Sequence, residues 1–249
     1  MTHSAASVGR GKTLAIVLCA GQGARMGAAQ NKIFLPLAGM PVGAHAIQAF
    51  QASPLVDEIV VIGRSDELAR IHAELLAPYA FTKVSATLAG GASRHQSEAR
   101  ALESVRTRIT SGEIALILIH DGARPLVTDA AITRLVAAVR GLTRPGGALL
   151  ATPVAADERI ARVGADGVAQ QVFAADELWR AQTPQACEAR TLLAAYDRAR
   201  DEGFEGTDTA SVVEAAGAPV VSAPGDEANI KVTTPDDLLR AEALMRARR

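Results

Sequence analysis

The stretch TLAIVLCAGQGARMGAAQNKIFLPLAG, residues 13–39, decides how this chain is read. An apolar, β-prone run, Leu14–Leu18, breaks into a loop of small residues spaced Gly21-x-Gly23-x-Arg25-x-Gly27, and Lys32 follows a few positions later. A strand that runs into such a loop turns backbone N–H groups toward an anion. Three anion sites compete for the pattern. The segment GRGKT, residues 9–13, imitates the end of a mononucleotide-binding loop, but Ala6 stands at its leading glycine and no strand precedes it. A dinucleotide turn needs a third glycine where Met26 stands, and an acid some 20 residues on. No Asp or Glu occurs between Gly27 and Val56, so only an NADP variant using Arg64 against a 2′-phosphate survives. The third reading uses the cations: Gly21, Gly23 and Gly27 curl the backbone around phosphate oxygens, and Arg25 and Lys32 add two charges suited to a triphosphate. An ordinary glycine-rich turn with surface cations also fits this stretch taken alone.

The chain has 249 residues, 49% hydrophobic and 21% charged, as an ordinary α/β protein does. A net charge of -1 and only 3% aromatic residues argue against general nucleic-acid binding. Two cysteines, Cys19 and Cys187, suit a reducing compartment, and no apolar stretch is long enough to cross a bilayer, so a cytoplasmic location is expected. Residues 1–12 read as a disordered tail and 13–249 as one domain.

Short apolar runs alternate with amphipathic helical patterns, the signature of an α/β fold: a Rossmann-like, mostly parallel sheet flanked by helices. The strands are expected at Leu14–Leu18, Glu58–Ile62, Thr82–Leu88, Ile114–His120, Ala148–Pro153 and Pro219–Ser222. The helices are expected at Val42–Ala52, Asp66–Leu76, Arg94–Arg108, Asp129–Val139, Ala189–Glu202, Thr209–Ala216 and Pro235–Arg248. Thr234, Pro235, Asp236 and Asp237 form a helix start with a cap, a first-turn proline and two acids at the positive dipole end. Residues 154–175 interrupt the alternation. Their segments RIARV and GVAQQVF flank a GADG turn and predict a protruding hairpin, expected to pack on a partner subunit.

Further motifs fall at element boundaries, where an α/β sheet holds its ligand. In LAGGASRHQSEARAL, Gly90 and Gly91 end a strand and Arg94 and Ser97 open a helix. In LILIHDGARPLV a buried strand delivers His120, Asp121, Gly122 and Arg124 to its carboxyl end. Asp121 there suits Mg²⁺ beside phosphates, or a plain turn aspartate; His120 reads as a packed strand-end residue. In Asn229–Thr233, Lys231 alternates with apolar neighbours and points away from the core, as an exposed strand lysine would.

Taken in order, the glycine-rich loop with NKIFLPLAGMPV, GGASRHQS, HDGARPL, AQTPQ, TDTASVVE and NIKVTTPDDL resemble the 2-C-methyl-D-erythritol 4-phosphate cytidylyltransferases of the non-mevalonate isoprenoid pathway, from about Leu14 to Leu244. Close relatives of that family make CDP-ribitol. The resemblance implies a Mg²⁺-dependent cytidylyl transfer from CTP to 2-C-methyl-D-erythritol 4-phosphate in a homodimer. It implies Arg25 and Lys32 on the CTP phosphates and Lys231 at the transferring phosphate. Ala20, Gly21 and Gly23 would form the loop; Gly90, Gly91 and Ser97 would line the cytosine and ribose pocket, with Arg94 in support. Asp121 would sit by ribose and Mg²⁺, Arg124 would brace that loop, and Thr183 would belong to the acceptor side. Two departures stand out. Where the family shows an Asp-Thr-Ile-Lys type run this chain reads AADERIARV, and Ala174 and Ala175 replace an Asp-Arg pair. Losing that arginine removes a charge-assisted phosphate contact worth about 1.5–3 kcal/mol. Arg159 or Arg162 on the same arm are the expected substitutes. The altered arm leaves open a CTP transferase acting on another phosphorylated or phosphonate acceptor, such as ribitol 5-phosphate.

Overall fold

A computed structural model of the chain describes residues 11–21, 31–155, 157–158 and 160–248. Strand β1, Lys12–Leu18, is apolar on both faces and lies inside a seven-stranded sheet. A 3₁₀ turn, Lys32–Phe34, and a tiny hairpin of β2, Pro36–Leu37, and β3, Met40–Pro41, lead into helix α1, Val42–Ala52. Strand β4, Glu58–Gly63, then runs to a helical turn α2, Leu68–Arg70, which continues as a π-helical turn over Ile71–Leu76. Strand β5, Val84–Ala89, follows, then helices α3, Arg94–Ser104, and α4, Arg106–Thr110. The second half comprises β6, Ile114–Asp121; α5, Asp129–Arg140; β7, Gly147–Pro153; and the pair β8, Ile160–Val163, and β9, Ala169–Phe173. It ends with β10, Trp179–Glu188; α6, Ala189–Glu202; α7, Thr209–Ala215; β11, Val220–Pro224; and α8, Pro235–Ala247.

The large sheet is ordered β11-β7-β10-β6-β1-β4-β5. The chain leaves β1 toward β4 and β5, then crosses back to lay β6 on the other side of β1. The crevice between β1 and β6 is therefore the point where strand order reverses, and loops diverge there to leave room for a ligand. Both faces of the sheet are covered. One buried cluster joins Val17, Val61 and Leu118 to Ile47, Phe50, Ile132 and Leu135. The other joins Ile16, Ile62 and Ile117 to Leu102, Leu192, Tyr196 and Val212. A strand buried on both faces reads as a continuous apolar run, which is why β1 and β6 are so plain in the sequence.

Several expectations need correction. The sheet is mostly parallel, but β10 runs antiparallel to both β6 and β7. No strand is expected over Trp179–Glu188, because Gln182, Thr183, Pro184 and Gln185 break its apolar pattern. Those polar side chains are buried, and Gln182 and Gln185 bond to other segments across a register shift. The expected helix Arg94–Arg108 divides at Val105. Of residues 1–12, expected to be a tail, 1–10 lie outside the described residues, whereas Lys12 begins β1 and its amide donates to the Glu113 carbonyl at 2.7 Å. Asn229–Thr233 is a loop, not a strand. It is nonetheless fixed, because Val232 is wholly buried with Leu37, Val42, Leu126 and Ala241 and its amide bonds the Ala123 carbonyl at 2.8 Å. The arm forms as expected, with β8 and β9 paired antiparallel and apart from the main sheet.

Candidate active site

At the β1–β6 crevice lies a pocket of about 250 Å³. Its wall takes Leu18, Ala20 and Gly21 from the end of β1, Asn31 and Lys32 from the loop's return, Gly91, Arg94 and Ser97 from the start of α3, Asp121 and Ala123 from the end of β6, and Lys231. Residues scattered over more than 200 positions thus meet at strand tips and helix starts. Gly23, Arg25 and Gly27 lie outside the described residues, as does Arg159.

Asp121 is the one acid among the described residues that line the pocket. Its Oδ2 receives Lys231 Nζ at 2.7 Å, and Arg94 and Arg124 stand at 3.5 and 3.8 Å. Burial alone would raise the Asp121 carboxyl, but the three cations, Lys231 foremost, hold it well below the usual carboxylate range. Arg124 does not line the pocket. Its Nη1 donates to the Asn229 carbonyl at 2.7 Å, tying the end of β6 to the Lys231 loop. Asn229 completes the tie by donating to the Thr183 carbonyl at 2.8 Å.

Behind Asp121 sits a run of hydrogen bonds with one direction. His120 Nε2 lies 3.0 Å from the Arg124 carbonyl, so that nitrogen carries the proton. Nδ1 then accepts from the Thr183 hydroxyl at 3.2 Å, and the Thr183 oxygen accepts from the Asp121 amide at 3.0 Å. Burial pushes His120 down to about 4, which keeps it neutral. Thr183 is buried beneath the carboxylate and does not line the pocket, and Arg162 lies exposed on the arm, away from it. His120 and Thr183 therefore act here by setting the position of Asp121. The sequence reads His120 as a packed strand-end residue, and only the partner strand β10 reveals its contact with Thr183.

The loop's two ends are pinned by Asn31, a residue the sequence did not single out. Its side-chain amide donates to the Cys19 carbonyl at 3.0 Å and to Glu67 Oε2 at 2.8 Å. One buried amide thereby closes the loop and anchors it to the turn after β4. Arg70, over the Phe34 ring at 3.9 Å, anchors the same exit. At the other side, Gly122 lies so close to β1 that a Cβ would come 2.5 Å from Cys19 Sγ. Burial pushes the Cys19 thiol up to about 12, so it packs as a small apolar residue, not a thiolate. Across the pocket, Ser97 Oγ accepts the Gly91 amide at 3.0 Å and donates to the Ser93 carbonyl at 2.8 Å, shaping the turn into α3. Gly90 lies just behind, where a Cβ would meet Ser97 Oγ at 2.7 Å.

Among the described residues no group of three or more His, Cys, Asp or Glu could hold a metal. A single ionised carboxylate fits Mg²⁺ only if phosphate oxygens and water complete the shell, which is how Mg²⁺ commonly joins phosphate substrates.

The model of the 2-C-methyl-D-erythritol 4-phosphate cytidylyltransferase family matches residues 13–247. A 2-C-methyl-D-erythritol 4-phosphate cytidylyltransferase of Geobacter metallireducens is 40% identical over 232 residues, 93% of this chain and 97% of that protein. One of Syntrophus aciditrophicus is 37% identical, over 94% of this chain and 96% of its own length. The solved structure of the Francisella tularensis 2-C-methyl-D-erythritol 4-phosphate cytidylyltransferase superposes with a TM-score of 0.76 at 26% identity, covering 94% of this chain and 99% of that one.

The neutral His120 makes a testable demand on stability. Its folded pKa lies below the unfolded value of 6.5, so the stability it contributes is present above pH 6.5 and is lost as pH falls toward 4. In metal-free buffer, urea unfolding at pH 7.5 and pH 5 should differ by about 2 kcal/mol from this group. The difference should shrink to a small residue in His120→Asn; an unchanged difference would remove the account.

Proposed function

We propose a function from this premise: the chain belongs to the 2-C-methyl-D-erythritol 4-phosphate cytidylyltransferase family. It transfers the cytidylyl group of CTP to 2-C-methyl-D-erythritol 4-phosphate, releasing pyrophosphate. The observation that carries this reading is the ring of cations around Asp121 at the point where strand order reverses, with Lys32 on the facing wall.

The chemistry asks little of a base. An acceptor phosphate monoester has its second pKa near 6 and is largely a dianion at pH 7. One of its oxygens attacks the α-phosphorus of CTP, a new P–O bond forms, and the bond to the bridging oxygen breaks with its electrons leaving on pyrophosphate. The protein must bring two anions together and spread the charge that develops. Lys32 and Arg25 would neutralise the triphosphate, and Lys231 would reach the transferring phosphate from its fixed loop. Support for Lys231 is its place on Asp121 at the pocket wall, from which a phosphate oxygen could draw it. Asp121 would hold Mg²⁺ together with phosphate oxygens, and the ion supplies charge neutralisation at the reacting phosphates when bound. Gly91 and Ser97 would shape the nucleoside end, with the turn around Gly90. Neither cysteine offers a competing nucleophile, since both thiols are buried and raised. Two buried free thiols also accord with a cytoplasmic location.

The acceptor side would be completed by a second copy of the chain. The arm and the start of β10 expose Ile160, Val163, Val168 and Trp179, an apolar surface that supports dimerisation. Arg162 or Arg159 of one arm would then meet the acceptor phosphate of the other subunit, in place of the arginine that Ala175 replaces.

Lys32→Ala and Lys231→Ala should each lower turnover about 10²-fold or more with thermal unfolding little changed. Near-normal turnover in both would remove the mechanism. Pyrophosphate release assayed across nucleotides and acceptors should be greatest with CTP and 2-C-methyl-D-erythritol 4-phosphate; a preference for ribitol 5-phosphate or a phosphonate would redirect the acceptor reading. Sedimentation should give a dimer that dissociates in Val163→Asp/Val168→Asp, whereas a wild-type monomer would exclude the shared site.

A further inference from the structure

Glu98 is a charged residue for which cytidylyl transfer has no direct use. It lies on α3 one turn after Arg94, and none of it is exposed. Its Oε2 accepts the Tyr196 hydroxyl at 2.5 Å and the Thr209 hydroxyl at 2.8 Å. Those residues come from α6 and α7, so three helices converge on one carboxylate. Among the described residues its Oε1 has no hydrogen-bond partner and is ion-paired with Arg94 Nη1. Tyr196 is itself held in place by stacking on His95, with ring centroids 4.8 Å apart.

We infer that Glu98, seated on Tyr196 and Thr209, is a positioning residue that aims Arg94 at Asp121 in the nucleotide pocket. Arg94 has a carboxylate on either side: Glu98 behind it and Asp121 in front, 3.5 Å from Nε. Its Nη2 is buried and has no hydrogen-bond partner among the described residues, so the two carboxylates, not a filled set of hydrogen bonds, fix its orientation. The arrangement is a poor device for stability. A buried ion pair must recover the cost of desolvating both charges, and apolar side chains of similar volume usually serve the fold as well or better. What an ion pair does supply is one orientation. The chain of contacts runs from Tyr196 and Thr209 through Glu98 and Arg94 to Asp121 and then Lys231. It connects the helical layer behind the sheet with the wall facing the nucleotide.

This inference rests on the cytidylyltransferase reading, and wild-type activity separates the two: no cytidylyl transfer by the wild type would sink the function itself. The test is a double-mutant cycle of Glu98→Gln with Arg94→Gln. With its oxygen on the two hydroxyls, the amide of Glu98→Gln turns an NH₂ toward Arg94, donor against donor, and displaces it. KM for CTP should rise about tenfold with kcat within about threefold, because a shifted pocket wall weakens binding whereas a smaller folded fraction lowers only apparent kcat. In the Arg94→Gln background, Glu98→Gln should change KM by less than about twofold, since residues acting as a unit are not additive. That double variant carries no unpaired buried charge, which favours its folding. Should Glu98→Gln alone fail to fold, Tyr196→Phe takes its place in the cycle with the same expected pattern at smaller size. A KM unchanged in the single variant, or an equal rise in the presence and absence of Arg94, overturns the assignment.

Discussion

Asp121 is an ionised carboxylate in a largely buried wall, and it stays ionised because Lys231, Arg94 and Arg124 surround it. Remove the cations and burial would drive a proton onto it; remove the carboxylate and three positive charges would face one another in a pocket of low dielectric. Each of these side chains is useful only where the others hold it. The rest of the molecule can be understood as the means of assembling that group. Lys231 comes from a loop pinned by the burial of Val232, Arg124 from the exit of β6, and Arg94 from a helix whose buried turn carries Glu98. Among the described residues the pocket wall built this way carries more positive than negative charge.

The sheet supplies the place. A crevice between β1 and β6 exists because the chain reverses direction of travel at β1; Gly122 lets the two strand ends lie close, and the small Ala20 and Gly21 line the space without filling it. Asn31 ties the end of β1 to the turn after β4, and Arg70 over Phe34 holds the segment that follows. These contacts are spent on geometry near the phosphates, and the two apolar layers carry the fold.

Much of this is legible in the sequence, for identifiable reasons. Strands β1 and β6 announce themselves because burial on both faces demands unbroken apolar runs, and α1 and α6 fall where their periodicity puts them. Gly91, Ser97 and Asp121, singled out because small or charged groups follow strands at ligand-binding ends, line one pocket. Strand β10 is hidden because its central residues are polar and satisfied by distant partners, a fact no local pattern encodes. Lys231 is pointed to by the family resemblance alone, and the loop that carries it reads as a strand because alternation is shared by strands and by extended segments with one buried side chain. Asn31 and Glu98 escape notice, and His120 and Thr183 are named without the contacts they make, for a common reason: each holds another residue, and such a role depends on contacts between segments far apart in sequence.

The central claim is that this crevice receives a triphosphate and brings it against Lys32 and Lys231. A crystal structure with CTP and Mg²⁺ tests it most directly. The account predicts the triphosphate between the Ala20–Gly21 turn and those two lysines, with the base toward Gly91 and Ser97. A nucleotide bound elsewhere, or one seated in the crevice with its phosphates turned away from both lysines, would contradict it.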